Sequence, residues 1–291
     1  MKLINLKGDT YILDGFNRIG IYLFNEKEVA IIDTGWDDNS GMEIMKVCEE
    51  QGWKIKMVLS THAHPDHIGG NYIIAKTLNV PVYAYGIEQV ICNYPQLVNS
   101  IINGGFTHKY LSNPYLRQIP NGTLALTEET LPDGLEFCLL PGHDSDMVGF
   151  KTKDEVYFLA DAIAGESVIN KYQLQFMFDV KTYFKTLDFI SKLNGKYFVP
   201  SHGEVTKDIK ALVDLNKQII LGVIDKIKEI CQKGQSFDDI LKDLTEYYHI
   251  KLDFMQYSVI SCALRCYLAY MLNEKILEAS FIANKLIWKT L

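Results

Sequence analysis

Three histidines and an aspartate stand within a few positions of one another in the run Thr61-His62-Ala63-His64-Pro65-Asp66-His67-Ile68-Gly69-Gly70. Imidazole nitrogen and carboxylate oxygen are the borderline-hard donors that Zn²⁺, Fe²⁺ and Mn²⁺ accept, so the chemistry of this run is metal chemistry. It follows the apolar stretch Lys56-Met57-Val58-Leu59-Ser60, which reads as a strand, and so its donors leave a strand end into a loop. Pro65 lacks an N–H and restrains its neighbours, and is expected to keep a helix from starting inside the run. Gly69-Gly70 is expected to let the chain pass close beneath bound metal, which would leave the site held by backbone geometry rather than by one helix face.

More donors stand at further strand ends. His143 follows Leu139-Leu140-Pro141-Gly142, Asp161 closes Tyr157-Phe158-Leu159-Ala160, and His202 follows Phe198-Val199-Pro200-Ser201. Asp33 closes Val29-Ala30-Ile31-Ile32 in the same manner. A lone histidine at position 143 or 202 reads as a satisfied core or surface residue; together with the 61–70 run, these positions imply one site along one sheet edge. The two remaining histidines read differently: His108 as a solvated loop residue and His249 as part of a helical segment without a catalytic role.

The elements that must position these donors alternate between short strands and helices. Tyr11-Ile12-Leu13, Gly20 to Phe24 and Val29 to Ile32 read as strands, with Asn25-Glu26-Lys27-Glu28 as a hairpin turn. A helix is expected from about Asn39 to Glu50, another from Ile73 to Leu78, and a strand over Val80 to Ala84. From Gly86 to about Thr130 the pattern breaks: Tyr94-Pro95, Asn103-Gly104-Gly105, Asn113-Pro114 and Pro120-Asn121-Gly122 are turn signals. Such an insertion is either a lid or a surface excursion over a sheet edge. Strands resume at 135–140, 148–151, 156–160 and 197–199, with a helix from Val180 to Leu193. After Glu204 long helices take over (about 207–233, 237–248 and 254–273), followed by a hairpin spanning Ile276 to Lys289.

Bulk composition narrows the class. A length of 291 residues allows one large domain or one plus an appendage, and 48% hydrophobic content suffices for a packed core. The net charge of −7 weighs against a general nucleic-acid footprint. No apolar run approaches a membrane span, and Met1 to Gly8 has no export-signal character. The scattered cysteines contain no Cys-x-x-Cys pair, which suits reduced thiols and a cytoplasmic protein. Cys262 and Cys266, one helical turn apart, could form a metal or redox pair, but their apolar surroundings favour core packing.

Taken in order, His62-x-His64-x-Asp66-His67, His143, Asp161 and His202, with Asp33-Thr34-Gly35 upstream, resemble the metallo-β-lactamase-fold superfamily over roughly residues 1–204. The motif has the glyoxalase II-like form. The resemblance implies an α/β fold, a four-layer αββα sandwich with metals at one edge of paired sheets. It implies two divalent metal ions, zinc first and iron or manganese as alternatives: His62, His64 and His143 on one, Asp66, His67 and His202 on the other, and Asp161 bridging. Asp33 would orient a ligand ring. A metal-bridged hydroxide would then attack a small ester, thioester or related acyl substrate, with Asp66 also taking the proton. His64 departs from the flavodiiron oxygen reductases, which carry a carboxylate there. Ala164 stands where quorum-signal lactonases carry tyrosine, and the long insertion speaks against a glutathione thioester. Acidic Asp144 and Asp146 beside His143 would discourage anionic substrates. A mononuclear-iron, persulfide dioxygenase-like oxidoreductase and a phosphodiesterase are the alternatives.

The expected organisation is a catalytic domain over 1–204, with 86–130 as a lid-like insertion in which Tyr94, Phe106, Tyr110 and Tyr115 could cover the substrate, and a helical module over 205–291 similar to a degenerate winged helix. The helix 254–273 carries only Arg265 among Val259, Ile260, Leu264, Leu268 and Met271, so the module is expected to act as scaffold or homodimer contact rather than to grip nucleic acid.

Overall fold

The computed structural model describes residues 1–98, 104–105, 109–110, 119–171 and 173–291. Four antiparallel strands open the chain: β1 (Lys2–Lys7), β2 (Thr10–Asp14), β3 (Arg18–Leu23) and β4 (Glu28–Ile32). The turn into β4 closes on Asn25, whose Oδ1 accepts the N–H groups of Lys27 and Glu28 at 3.1 and 3.0 Å. Helix α1 (Asp38–Glu50) starts where the Asp37 carboxylate caps the Ser40 N–H. Then follow β5 (Lys54–Leu59), α2 (Pro65–Ile68), α3 (Asn71–Leu78), β6 (Val82–Ala84), α4 (Gly86–Asn93) and β7 (Leu124–Ala125). These seven strands form one sheet in sequence order, parallel from β4 onward.

A second sheet holds β8 (Leu135–Leu139), β9 (Val148–Thr152), β10 (Val156–Ala160) and, after α5 (Glu166–Lys171) and α6 (Val180–Ile190), β11 (Tyr197–Pro200), in the order β11-β10-β9-β8. The chain ends with α7 (Ile209–Ile230), β12 (Gln235–Ser236), α8 (Phe237–Tyr247), α9 (Phe254–Asn273) and the hairpin β13 (Leu277–Ile282) and β14 (Lys285–Thr290). Strand β12 joins that hairpin through β14. No helix among the described residues is long and apolar enough to cross a membrane.

Period-two alternation sorts the strand side chains into layers. In β3 and β4, Ile19, Ile21, Val29 and Ile31 face Ile44 and Cys48 of α1 and Ile74 of α3. Their neighbours Tyr22, Ala30 and Ile32 face the other way, onto Val148, Phe150, Val156 and Phe158 of the second sheet. The sheets approach closely at Gly20, where a Cβ would stand 2.7 Å from the Phe158 ring. On the far face of β10, Tyr157 and Leu159 meet the helices. The layers are therefore helix, sheet, sheet, helix, as the expected αββα sandwich requires.

Two local departures have clear causes. Lys2–Lys7 shows no clean alternation, yet it forms edge strand β1 by pairing with β2. Inside the turn-rich insertion, α4 buries Glu88, Ile91 and Cys92, and the breaker pair Tyr94-Pro95 follows its last residue. Tyr94 is exposed, and Tyr110 stacks on Phe254 of α9 with ring centroids 4.9 Å apart and planes 9° from parallel. The other two residues of the expected lid, Phe106 and Tyr115, lie outside the described residues, as does His108.

One buried cluster runs through position 204. It joins Tyr157 and Leu159 of β10 and Tyr183 and Leu187 of α6 to Val213, Ile220 and Ile227 of α7, Leu244 of α8, and Leu264, Leu268 and Met271 of α9. Each such aliphatic side chain stabilises the fold by roughly 1.5–3 kcal/mol through removal from water. Truncation after Glu204 is therefore expected to leave a chain without a cooperative thermal transition. Leu264→Ala should lower the melting temperature of the full chain in a single transition, at a cost of about 2–5 kcal/mol, measured by calorimetry.

Candidate metal centre

Strand β5 ends at Leu59, and the backbone leaves it through Ser60 and Thr61, both buried. Thr61 is held by Asp33: its N–H donates to Oδ1 and its hydroxyl to Oδ2, each at 2.8 Å. Asp33 Oδ2 also lies 2.8 Å from His67 Nδ1, so this carboxylate sets the ring orientation of His67 and leaves Nε2 facing inward. Asp33 has φ 62°, a left-handed conformation that non-glycine residues take only where surrounding structure enforces it.

The expectation that Pro65 keeps a helix out of the run is overturned. Pro65 occupies the first position of the one-turn helix α2, where its missing N–H would have had no partner anyway, and His64 before it stays extended at φ −70°, ψ 144°. Asp66 and His67 thus come from that helical turn, whereas His62 and His64 come from the loop before it. Gly69-Gly70 also acts differently than expected. A Cβ on Gly69 would fall 2.0 Å from the Trp36 carbonyl carbon, and one on Gly70 2.7 Å from the Thr34 oxygen. The glycines admit the segment after β4; they do not make room for metal.

On the second sheet a register shift between Phe158 and Ala160 marks the end of β10. Ala160 takes φ 50°, and its carbonyl accepts the Ser201 N–H at 3.0 Å. This irregular end re-aims the chain, as bulges beside functional sites do, and carries Asp161 and His202 to the same edge as the β5 loop. His143 arrives from the loop between β8 and β9, where Gly142 N donates to Asp144 O at 2.8 Å.

The donors fall into two groups. Ligand atoms of His62, His64, His143 and Asp161 lie within 4.8 Å of one another, and so do those of Asp66, His67 and His202. His64 Nδ1 is 3.0 Å from His62 Nε2 and 3.1 Å from His143 Nε2. Nitrogens bound tetrahedrally to one zinc would stand about 3.3 Å apart, close to this spacing. Asp161 Oδ2 sits between the groups, 3.5 Å from His67 Nε2, 3.6 Å from His143 Nε2 and 3.7 Å from His202 Nε2. Asp66 Oδ2 is 3.0 Å from His202 Nε2. Two atoms here, His67 Nε2 and Asp161 Oδ1, are buried with no hydrogen-bond partner. Buried polar atoms are ordinarily paired, and a cation among these donors would satisfy both. The residues fit a metal.

Charge divides the centre. Burial, with the neighbouring His67 and His64, pushes His62 well below the usual imidazole range. Burial also takes His143 down to about 4, against the pull of Asp161. Both shifts favour the neutral ring, which keeps a lone pair to donate. Burial opposes charge on His67 as well, yet Asp161, Asp66 and Asp33 outweigh it and hold that ring well above its ordinary value. His202 is likewise raised against burial, chiefly by Asp161. Burial works against the ionised form of Asp161, but His202 and His67 hold it well below the carboxylate range.

Several residues escaped the sequence reading. Asn17 is buried and donates through Nδ2 to the Asp66 carbonyl. Asp144, read there as a deterrent to anions, places Oδ2 3.5 Å from His64 Nε2, the nitrogen facing away from the donor group. Asp146 turns instead to the start of α4, where its Oδ2 accepts the Ile87 N–H at 2.9 Å. Phe176 packs edge-on against His64 and His143, with centroids 5.1 and 5.6 Å away. Phe16 packs against His202 at 5.5 Å and Trp36 at 5.7 Å while 67% exposed. Glu88 of α4 is fully buried, and burial with the nearby Asp144 pushes its carboxyl up to about 8. Its sequence signal was a lone acid on the face that also carries Ile91 and Cys92.

Comparison with known proteins gives consistent findings. A family model described as the metallo-beta-lactamase superfamily matches residues 17–202. The "Probable metallo-hydrolase YybB" of Bacillus subtilis (strain 168) is 27% identical over 184 residues, 61% of this chain and 76% of that protein. A hydroxyacylglutathione hydrolase of Erythrobacter litoralis (strain HTCC2594) is 40% identical over 71 residues, 22% of this chain and only 27% of its own length. Among solved structures, a metallo-beta-lactamase family protein of Thermus thermophilus superposes with a TM-score of 0.73 at 15% identity, covering 97% of this chain and 94% of that one.

Because Asp33 holds both His67 and Thr61, Asp33→Ala is expected to weaken zinc binding at the Asp66–His67–His202 group by about 10–100-fold, read by competition with a chromophoric chelator.

Proposed function

This chain belongs to the metallo-β-lactamase superfamily and is a metallo-hydrolase, and on that premise we propose that it cleaves a small ester, thioester or related acyl compound at a centre of two divalent metal ions. One observation carries the reading: Asp161 Oδ2 stands within 3.5–3.7 Å of ring nitrogens from both donor groups, which is what a ligand shared by two ions would require. His62, His64 and His143 would hold the first ion, and Asp66, His67 and His202 the second. Zinc suits the five imidazoles and two carboxylates.

When bound, such ions activate water as a nucleophile near neutral pH and polarise the scissile carbonyl. The protein supplies the rest. Asp66, whose Oδ2 lies 3.0 Å from His202 Nε2, would take the proton of the attacking water and pass it to the leaving group. Asp33 and Asn17 keep His67 and the Asp66 backbone in position while that proton moves.

The walls suit an apolar acyl group. Phe176 flanks the first donor set, and Phe16 stacked on Trp36 flanks the second, so apolar surface borders both sides of the reacting position. Acidic Asp144, 3.5 Å from His64 Nε2 beside the first set, counts against a phosphodiester. The 71-residue likeness to a hydroxyacylglutathione hydrolase supports the thioester class, while the insertion sets this chain apart from a glutathione substrate.

Elemental analysis of protein purified without added metal or chelator tests the reading, followed by an ester and thioester panel. Two zinc ions per chain and thioesterase or esterase turnover abolished by a chelator are expected. A single iron with oxygen uptake on a persulfide, or phosphodiester cleavage, would overturn it. Asp66→Asn should reduce kcat by about 10²–10⁴-fold even where metal is retained. Phe176→Ala should raise KM for longer acyl chains about tenfold with kcat little changed, the equivalent of losing ~1.4 kcal/mol of apolar contact.

A further inference from the structure

The two loops that build the first donor set come from different sheets. His62 and His64 leave β5 of the seven-stranded sheet, and His143 lies between β8 and β9 of the other. One backbone hydrogen bond, Val148 N to Thr61 O at 2.9 Å, links them. A side chain links them as well. Glu88 Oε2 accepts the N–H of Ala63, between His62 and His64, at 3.0 Å. Its Oε1 accepts the N–H of Asp146, in the His143 loop, at 3.1 Å. Asp146 answers by accepting the Ile87 N–H, one residue before Glu88, at 2.9 Å. Gly86 makes this approach possible, since a Cβ there would fall 2.2 Å from Asp146 Oδ2.

We propose that Glu88 is a positioning residue that clamps the His62–His64 turn to the His143 loop and thereby sets the spacing of the first metal site. The inference rests on the reading that His62, His64 and His143 hold an ion. The carboxyl suits the role because each of its two oxygens can accept, and both N–H groups need acceptors. Burying such a group is costly unless its oxygens are used, and both are. The first helix of the insertion thus serves as a strut of the metal centre, independent of any covering role for the residues that follow it.

Glu88→Gln separates this role from general packing. The glutamine is nearly isosteric, but its amide has one acceptor oxygen, and its NH₂ must face one of the two N–H groups. Metal-free E88Q and wild-type protein are titrated with zinc against a chromophoric chelator, and their thermal unfolding is compared. To assign the ions, the titration is repeated in a His202→Ala background, which leaves the first site alone. The clamp predicts a 10–100-fold loss of zinc affinity at the first site and unchanged affinity at the second. Equal first-site affinity in E88Q and wild type would overturn it, as would an equal loss at both sites together with a lowered melting temperature. If E88Q does not fold, Asp146→Asn, which weakens only the Ile87 arm, is titrated in its place and judged by the same two results. A wild-type stoichiometry of one ion would sink the two-ion reading alone. The clamp is then judged on that ion, supported by tenfold weaker binding in E88Q and overturned by equal binding.

Discussion

Asp161 is a buried carboxylate with one oxygen unpartnered and three imidazole nitrogens gathered around the other. Removing such a charge from water costs several kcal/mol, which only close positive charge offsets. The surrounding structure answers that constraint. The irregular end of β10 turns Asp161 inward, the backbone of Ala160 sits in a left-handed conformation to do so, and Asp33 fixes the His67 ring with Nε2 toward the same point. Each of these local costs is tolerable because the strands that impose it are locked between two hydrophobic layers.

The centre is electrically lopsided, and that lopsidedness has a chemical use. In the first donor group burial lowers His62 and His143, whereas in the second the nearby carboxylates raise His67 and His202 against burial. Neutral donors leave more net positive charge on a bound ion and favour carbonyl polarisation. The second group pairs two imidazoles with the Asp66 carboxylate, which lowers the net charge there. A cation held by one group would therefore meet a different donor charge from a cation held by the other.

Much of this was legible in the chain itself. Alternation in Val29 to Ile32 and Tyr157 to Ala160 marks strands with two distinct faces, and the layers follow from it. Donor residues are scarce enough in type that His62, His64, Asp66 and His67 announce a centre, and strand-end placement draws in His143, Asp161 and His202. What stayed hidden is what ordinary residues do at a distance. Glu88 looks like any helical glutamate until Ala63 and Asp146 are brought to it from 25 and 58 positions away. Phe176 and Phe16 are common core types whose place at the rim depends on loops of irregular backbone. Pro65 was misread because a proline that cannot sit inside a helix is well suited to begin one. The glycines after His67 were assigned to the wrong neighbour because sequence adjacency suggested the metals and the fold supplied Trp36.

Strand β10 carries a consequence for how this protein can change over time. Val156 and Phe158 fill the space between the sheets, while Tyr157 and Leu159 fill the space beneath the helices. A shift of one residue would exchange the two sets and spoil both layers at once. An insertion or deletion in the strand that delivers Asp161 therefore costs both layers at once, a cost the connecting segments do not carry. Length can change in the segments around the centre while the strand that holds it keeps its register.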